Sequence, residues 1–384
     1  MKKLSVVCVV LLFAAAVPLM GGCAKKERAV EKMEGPEYKI GIVFDVGGRG
    51  DKSFNDSAYR GLVMLAEEYD GFIKDDPSKV DHGNRVQLKY LEPKPGGQDR
   101  EILLRVLAED GYDLVIGVGF MFTDSITKVA ADFPNVHFGI IDGFIPDLTE
   151  SSNITCLLFE EHQGSFLVGA IAGYKNRGGK IGFIGGMDMP LIHKFHGGYL
   201  AGVMYVNPEL RSRDMLLAQY IGKSGQAFND PKTAENIALN MYSRGATIIY
   251  HAAGASGTGL FQAAKETGNT AIGVDSDQGL QYATSDNTEE REIAEHILTS
   301  MLKRVDRSVF LTGQQMIDTG SVTGGYRSFG LEDRGVGYAV NEHNRDRLAD
   351  IQDELEKLRQ MIIDGELTVP DHDDQLEEWA RQNL

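Results

Sequence analysis

From Tyr38 onward the chain alternates between short apolar runs and stretches with helical periodicity. The short runs are rich in Val and Ile and read as strands at Tyr38–Asp45, Val86–Leu91, Asp113–Gly119, Val136–Asp142, Ile154–Phe159, Lys180–Ile184, Met215–Ile221, Thr247–Ala252 and Ala271–Asp275. Between them, apolar residues recur at the spacing of one helix face at about Phe54–Tyr69, Asp99–Glu109, Thr123–Phe133, Glu160–Tyr174, His193–Val206, Pro231–Ser243, Thr258–Thr267 and Ile293–Phe310. Nearly continuous apolar strands alternating with helices predict parallel sheets covered on both faces. The series runs twice, and in each half the strands end in Gly or Asp: Gly47, Gly119 and Asp142, then Gly185, Gly254 and Asp275. The expected fold is therefore α/β, with two doubly wound parallel-sheet lobes whose strand ends face a common cleft. Beyond Asp277 the pattern loosens into a Gly-rich stretch, a long charged helix at about Glu342–Ile363, and an acidic tail over 371–384. That tail reads as a solvated end, with Trp379 marking at most a short helix.

The first residues carry a different pattern. Lys2 and Lys3 precede the apolar run Leu4–Met20, which closes on Gly21-Gly22-Cys23. A basic start, a short apolar core and a small-residue exit describe an export signal over 1–22. Cys23 in that place is the expected lipid attachment point, and the charged stretch 23–37 reads as a flexible tether. The resulting expectation is a lipid-anchored, extracytoplasmic protein.

Composition narrows the chemistry. The chain has 384 residues and a formal net charge of −17, which argues against a nucleic-acid partner. Its three cysteines supply neither a disulfide framework nor a zinc cluster, so Cys156 reads as a small buried hydrophobe. Enzyme and cofactor motifs fail: Gly222-Lys223-Ser224 has Leu217 where a phosphate loop needs its first Gly, and Gly117-Val118-Gly119 has Phe122 where a dinucleotide fingerprint needs its third. His193 and His196 are three apart on a helix and form at best half a metal site; polar helix surface is the simpler reading.

What remains suits binding without catalysis or a cofactor. In Asp45-Val-Gly-Gly-Arg-Gly-Asp-Lys-Ser-Phe-Asn55, a strand ends in glycines and opens a helix, where α/β folds place ligands. Phe54 offers a ring face and Asn55 an amide edge. Asp45, Asp142 and Asp275 all follow apolar strands, and a carboxylate accepts two hydrogen bonds from a vicinal diol such as that of ribose. Phe54 and Phe195 stand at helix starts, one in each expected lobe, and two rings could close on a flat base from opposite faces. Taken singly, each Asp is as readily a cap and each Phe more readily core.

These residues resemble the basic membrane protein family, a group of bacterial lipoproteins that includes purine nucleoside receptors. The first stretch matches its opening motif. Further matches are Glu161-His-Gln-Gly-Ser-Phe-Leu-Val-Gly-Ala170, Gly182-Phe-Ile-Gly-Gly-Met187 with Phe195 and Gly198, Ala252-Ala-Gly-Ala-Ser-Gly257, Ile272-Gly-Val-Asp-Ser-Asp-Gln278, Leu298-Thr-Ser-Met-Leu-Lys303 and Gly330-Leu-Glu-Asp333. The similarity runs in order from about Tyr38 to Pro370. It implies a fold like the type I periplasmic binding proteins, with a hinge crossed three times, a first lobe of 38–155 plus 296–312 and a second of 156–295 plus 313–370. It also implies a monomer that passes purine nucleosides to an ABC-type importer. On that resemblance Phe54 and Phe195 sandwich the base, Asp45 and Asn55 read its edge, Asp275 and Lys303 hold the ribose, Gly254 lies near the sugar, and Asp124 is a further candidate. Arg49-Gly50 and Ala255-Ser256 depart from the family pattern. An extracytoplasmic nucleosidase and a ligand sensor are the alternatives; no tuned acid–base pair and no signalling domain is evident for either.

Overall fold

Apolar runs, most of them buried on both faces, assemble into two sheets. The computed structural model describes residues 35–384; the expected signal 1–22, Cys23 and nearly all of the tether lie outside the described residues. In chain order the strands are β1 Tyr38–Val43, β2 Gly71–Ile73, β3 Val86–Leu91, β4 Leu114–Val118, β5 His137–Ile141, β6 Ile154–Phe159, β7 Lys180–Met187, β8 Leu216–Gly222, β9 Ala246–Ala252, β10 Thr270–Asp275, β11 Ile297–Lys303, β12 Gly325–Phe329 and β13 Val336–Tyr338. The first sheet has the order β12-β6-β5-β4-β1-β3-β2 and the second β13-β11-β10-β9-β7-β8. All pairs are parallel except β13 against β11.

The two halves repeat one strand order: β6-β5-β4-β1-β3 corresponds to β11-β10-β9-β7-β8. Each sheet therefore has a switch point, between β1 and β4 in one lobe and between β7 and β9 in the other, where connections leave to opposite faces and open a crevice. Asp45 and Gly119 follow the strands at the first switch point, and Gly254 follows β9 at the second.

The boundaries between lobes differ from the expected ones. Residues 297–303 are a strand of the second sheet, not part of a helix over Ile293–Phe310 and not part of the first lobe. Both faces of β11 are buried, and Thr299 and Ser300 interrupt its apolar run, with Ile293 and Ala294 before and Val305 and Val309 after supplying a helical period. The helix itself begins later, at Val305–Thr319, and packs on the Phe54–Glu68 helix, where Gly61 and Gly313 allow close approach. Strand β6 completes the first sheet beyond residue 155, and β12 at 325–329 joins its edge. The chain crosses between lobes after β6, after β11 and after β12.

Two further differences lie near the C-terminus. The expected helix Glu342–Ile363 is broken into Arg345–Leu348 and Gln352–Ile363 with a tight turn between them. The tail is not a solvated end: Leu376–Asn383 is a helix whose Trp379 is 6% exposed, with its indole N–H donating to the Thr368 carbonyl at 2.6 Å. Leu376, Trp379 and Ala380 form an apolar stripe at helical spacing against the core. The Trp379 ring meets Phe166 edge-on at 6.3 Å.

The helices Glu161–Lys175 and Pro190–Val206 position much of the site, and they touch through glycines. A methyl group on Gly202 would lie 2.0 Å from the Phe166 carbonyl, and one on Gly169 would lie 2.1 Å from the Tyr199 carbonyl. Gly202→Ala is expected to destabilise the fold by about 1–3 kcal/mol through overpacking. Gly337→Ala, with open space around it, should stay within about 0.5 kcal/mol of the parent; urea unfolding followed by circular dichroism measures both.

Candidate functional site

The loop after β1 is built by its own carboxylates. Asp51 accepts the backbone N–H groups of Ser53, Asn55 and Asp56 at 2.8–3.0 Å and thereby caps the Phe54–Glu68 helix. Asn55 is 2% exposed, and its amide is spent on the same loop: the Asp45 N–H donates to its Oδ1 at 3.0 Å, and its Nδ2 donates to Asp51 at 3.0 Å. Asn55 therefore positions Asp45, and its amide is engaged within the protein instead of presenting a free edge.

Asp45 is 7% exposed. One of its oxygens accepts from Arg100 Nη2 at 2.5 Å, from Arg100 Nε at 3.2 Å and from the Val46 N–H at 2.7 Å. Burial raises its carboxyl above the ordinary value, and the Arg100 guanidinium opposes that rise. Sequence reasoning missed Arg100, which sits in the first turn of a helix with nothing in its neighbourhood to mark a buried partner.

Asp142 follows β5 in the first lobe and Asp275 ends β10 in the second, equivalent strands of the two sheets. Both have left-handed backbones, with φ of 64° and 65°, an uncommon conformation that concentrates at functional sites. Between them lies the Lys303 ammonium, whose side chain is 1% exposed, 2.6 Å from Asp142 Oδ2 and 3.0 Å from Glu161 Oε1. Burial acts to lower the lysine, but Asp142, Glu161 and Asp275 outweigh it and keep the ammonium charged. Burial raises Asp142 and Asp275 against the pull of Lys303. For Glu161, Lys303 and Lys194 overcome the effect of burial and hold the carboxyl below its ordinary value. Oδ1 of Asp142 is buried with no hydrogen-bond partner, and Asp275 Oδ2 accepts from Ser53 Oγ at 2.5 Å.

Three phenyl rings border this charge cluster. The Lys303 ammonium lies 5.3 Å from the Phe54 centroid, 5.4 Å from that of Phe195 and 5.0 Å from that of Phe159, within cation–π range. The cleft encloses about 640 Å³, counting its open mouth, and is lined by Asp45, Phe54, Asn55, Phe195, Gly254, Asp275 and Lys303. Asp124 does not line it: that residue is exposed on the first turn of the Thr123–Asp132 helix. The family resemblance alone makes Asp124 a candidate, in the loop after Gly119, and nothing in its local sequence marks an inward-turning side chain. Phe120, Met121 and Phe228 also line the cleft, with Phe120 and Phe228 meeting edge-on at 6.3 Å from opposite lobes. On the other side, Lys52 reaches Glu290 at 2.7 Å and the Tyr282 ring at 4.2 Å, and Ser276 Oγ donates to the Ser53 carbonyl at 3.0 Å. The lobes thus meet at both margins of the cleft.

Two α/β lobes with matched switch points around an enclosed cleft define a solute-binding protein. The chain matches the family model Bmp, described as ABC transporter substrate-binding protein PnrA-like, over residues 39–373. It belongs to that family. Among relatives, a CD4+ T-cell-stimulating antigen of Listeria innocua is 30% identical, covering 97% of this chain and 99% of its own length. A lipoprotein of Pyrococcus abyssi is 33% identical, covering 87% of this chain and 76% of its own. Basic membrane protein A1 of Borrelia garinii is 30% identical, covering 90% and 91%. The crystal structure of an ABC transporter solute-binding protein from Aeropyrum pernix superposes with a TM-score of 0.70 at 28% identity, covering 90% of this chain and 98% of that one. No helix among the described residues is long and apolar enough to cross a membrane.

Removing the ammonium leaves Asp142 and Asp275 buried without their cation, while Glu161 keeps Lys194 at 3.1 Å. The folded pKa values of these two aspartates would then lie further above the unfolded ones, so the folded state gains stability as pH falls through them. Lys303→Met should melt below the parent at pH 7.5, with a gap that narrows at pH 5.0; calorimetric melting curves at the two pH values test it, and an equal gap at both contradicts it.

Proposed function

We propose that this protein captures a neutral purine nucleoside in the cleft between its lobes and delivers it to an ABC-type importer, held at the membrane by lipid on Cys23. The observation that carries the nucleoside reading is the lining: two phenyl rings from opposite lobes stand beside carboxylates, and the one ammonium among the lining residues is already paired. Asp45, Asp51, Asp142 and Asp275 outnumber Lys303 on the cleft wall, an arrangement that repels a phosphate and favours hydroxyl and N–H donors. In this reading Phe54 and Phe195 hold the faces of the base, and Asp45, steadied by Arg100 and Asn55, accepts from its edge. Asp275 and the unpartnered oxygen of Asp142 accept from the ribose hydroxyls, Lys303 donates to them, and Gly254 leaves room for the sugar. Asp124 has no part in it. The family membership supports the transport role, and the Pyrococcus relative's designation as a lipoprotein supports the anchor.

Calorimetry with adenosine, guanosine and inosine tests the ligand class. Binding of at least one is expected, with inosine 5′-monophosphate much weaker than inosine. Phe54→Ala and Phe195→Ala should each weaken binding by about tenfold or more, in line with about 1–3 kcal/mol per stacked base. Folded protein without affinity for any nucleoside contradicts the proposal, as does release of free base at catalytic turnover.

A further inference from the structure

Outside the cleft, the C-terminal segment brings a second set of chemical groups together. His193 and His196, three apart on the Pro190–Val206 helix, face His372 and Asp373 at the start of the tail. We propose that His193, His372 and Asp373 bind one divalent transition-metal ion of the zinc class, fastening the C-terminal segment to the helix that carries Phe195.

The donor atoms of these three residues all lie within 4.8 Å of one another. His193 Nδ1 is 2.9 Å and His372 Nδ1 3.2 Å from Asp373 Oδ1, while His196 Nδ1 is 3.0 Å from Asp373 Oδ2. Tetrahedral ligands at zinc bond lengths stand about 3.4 Å apart, so small side-chain adjustments admit an ion. Two imidazoles and a carboxylate are a borderline-soft N/O set that suits zinc and its neighbours better than calcium or magnesium.

Proton placement favours a cation at this point. The Asp374 N–H approaches His372 Nδ1 at 3.3 Å, a long contact that an ion would replace at that lone pair, and Asp373 Oδ1 stands 3.2 Å away. Two acceptors this close are stabilised by a positive ion shared between them. On its far side, His193 Nε2 lies 2.8 Å from Asp188 Oδ1. A carboxylate there accepts a hydrogen bond from Nε2–H, which leaves the Nδ1 lone pair for a metal, the outer-shell arrangement found at metal-bound histidines. The His193 and His372 rings stack at 4.5 Å, a packing that two imidazolium cations would oppose and two neutral, metal-bound rings permit. Tyr220 Oη, 3.3 Å from His193 Nδ1, and Asp374, 2.9 Å from His372 Nδ1, border the remaining coordination positions. Nearby Lys194 does not compete, because its ammonium is held by Glu161 and the Phe159 carbonyl.

The tail backbone at His372 already packs against Gly197, where a methyl group would lie 2.8 Å from the His372 carbonyl carbon. An ion at this point would hold the tail at the turn of helix that carries Phe195. It would also hold the helix of Trp379, the single tryptophan of the chain, so its emission reports the site.

The test titrates Zn²⁺ into full-length protein freed of metal by chelator, by calorimetry and by Trp379 fluorescence. One ion per chain is expected, with a matching change in emission. His193→Ala and His372→Ala should each weaken the affinity at least ~10-fold, and Asp188→Asn by about 10–100-fold as an orienting carboxylate. His343→Ala, at an exposed histidine remote in sequence, should leave it unchanged. The His372 variant alters only the half-exposed tail, so it keeps the test decisive if the His193 variant does not fold. No stoichiometric binding, or stoichiometric binding that survives both histidine changes, overturns the proposal.

Discussion

The buried ammonium of Lys303 is the constraint on which the rest of the cleft depends. An isolated charge at 1% exposure would be prohibitively unfavourable. It is tolerable here because Asp142 from the first lobe, Glu161 at a crossing between lobes and Asp275 from the neighbouring strand of the second sheet surround it. That requirement fixes where β5, β10 and β11 end relative to one another. It also gives the left-handed backbones at Asp142 and Asp275 a purpose, since each turns a strand-end carboxylate toward the same cation.

With that cation satisfied internally, the cleft presents mainly acceptors and apolar faces to a ligand. In the proposed function charge acts alongside shape: a phosphate would face Asp45, Asp51, Asp142 and Asp275, with Lys303, the one ammonium among the lining residues, already held by Asp142 and Glu161. Membership in a substrate-binding family of ABC transport accounts for the two-lobed frame. Selectivity within that frame, in the proposed function, rests on a few side chains at strand ends and helix starts. Arg100 and Asn55 act one step back, holding Asp45 through a guanidinium and a backbone N–H.

Much of the architecture was legible in the residues. The nine strands read from Val- and Ile-rich runs all occur; most are buried on both faces, which leaves little freedom in composition, whereas β3 and β8 are only partly buried. Strand β11 was hidden for the opposite reason: Thr299 and Ser300 are buried polar residues whose hydroxyls find partners only in the folded chain, Thr299 Oγ1 donating to the Ala339 carbonyl and Ser300 Oγ accepting the Gln278 N–H. Seven of the eight proposed cleft residues come together, since strand ends and helix starts converge in a doubly wound fold. Asp124 does not, and Asn55 arrives with its amide already engaged. Contacts that depend on distant pairings, such as Arg100 with Asp45 or the tail histidine with His193, leave no local pattern. Trp379 was the exception: its stripe with Leu376 and Ala380 carried a signal that acidic composition masked.

In the proposed function, Phe54 and Phe195 clasp a purine while strand-end carboxylates hold its ribose. A crystal structure of the protein with inosine tests this most directly. The predicted result places the purine between the two phenyl rings, with the ribose hydroxyls within hydrogen-bonding distance of Asp275 and Asp142. A nucleoside bound elsewhere, or one lying in the cleft with its base away from both rings, would contradict it.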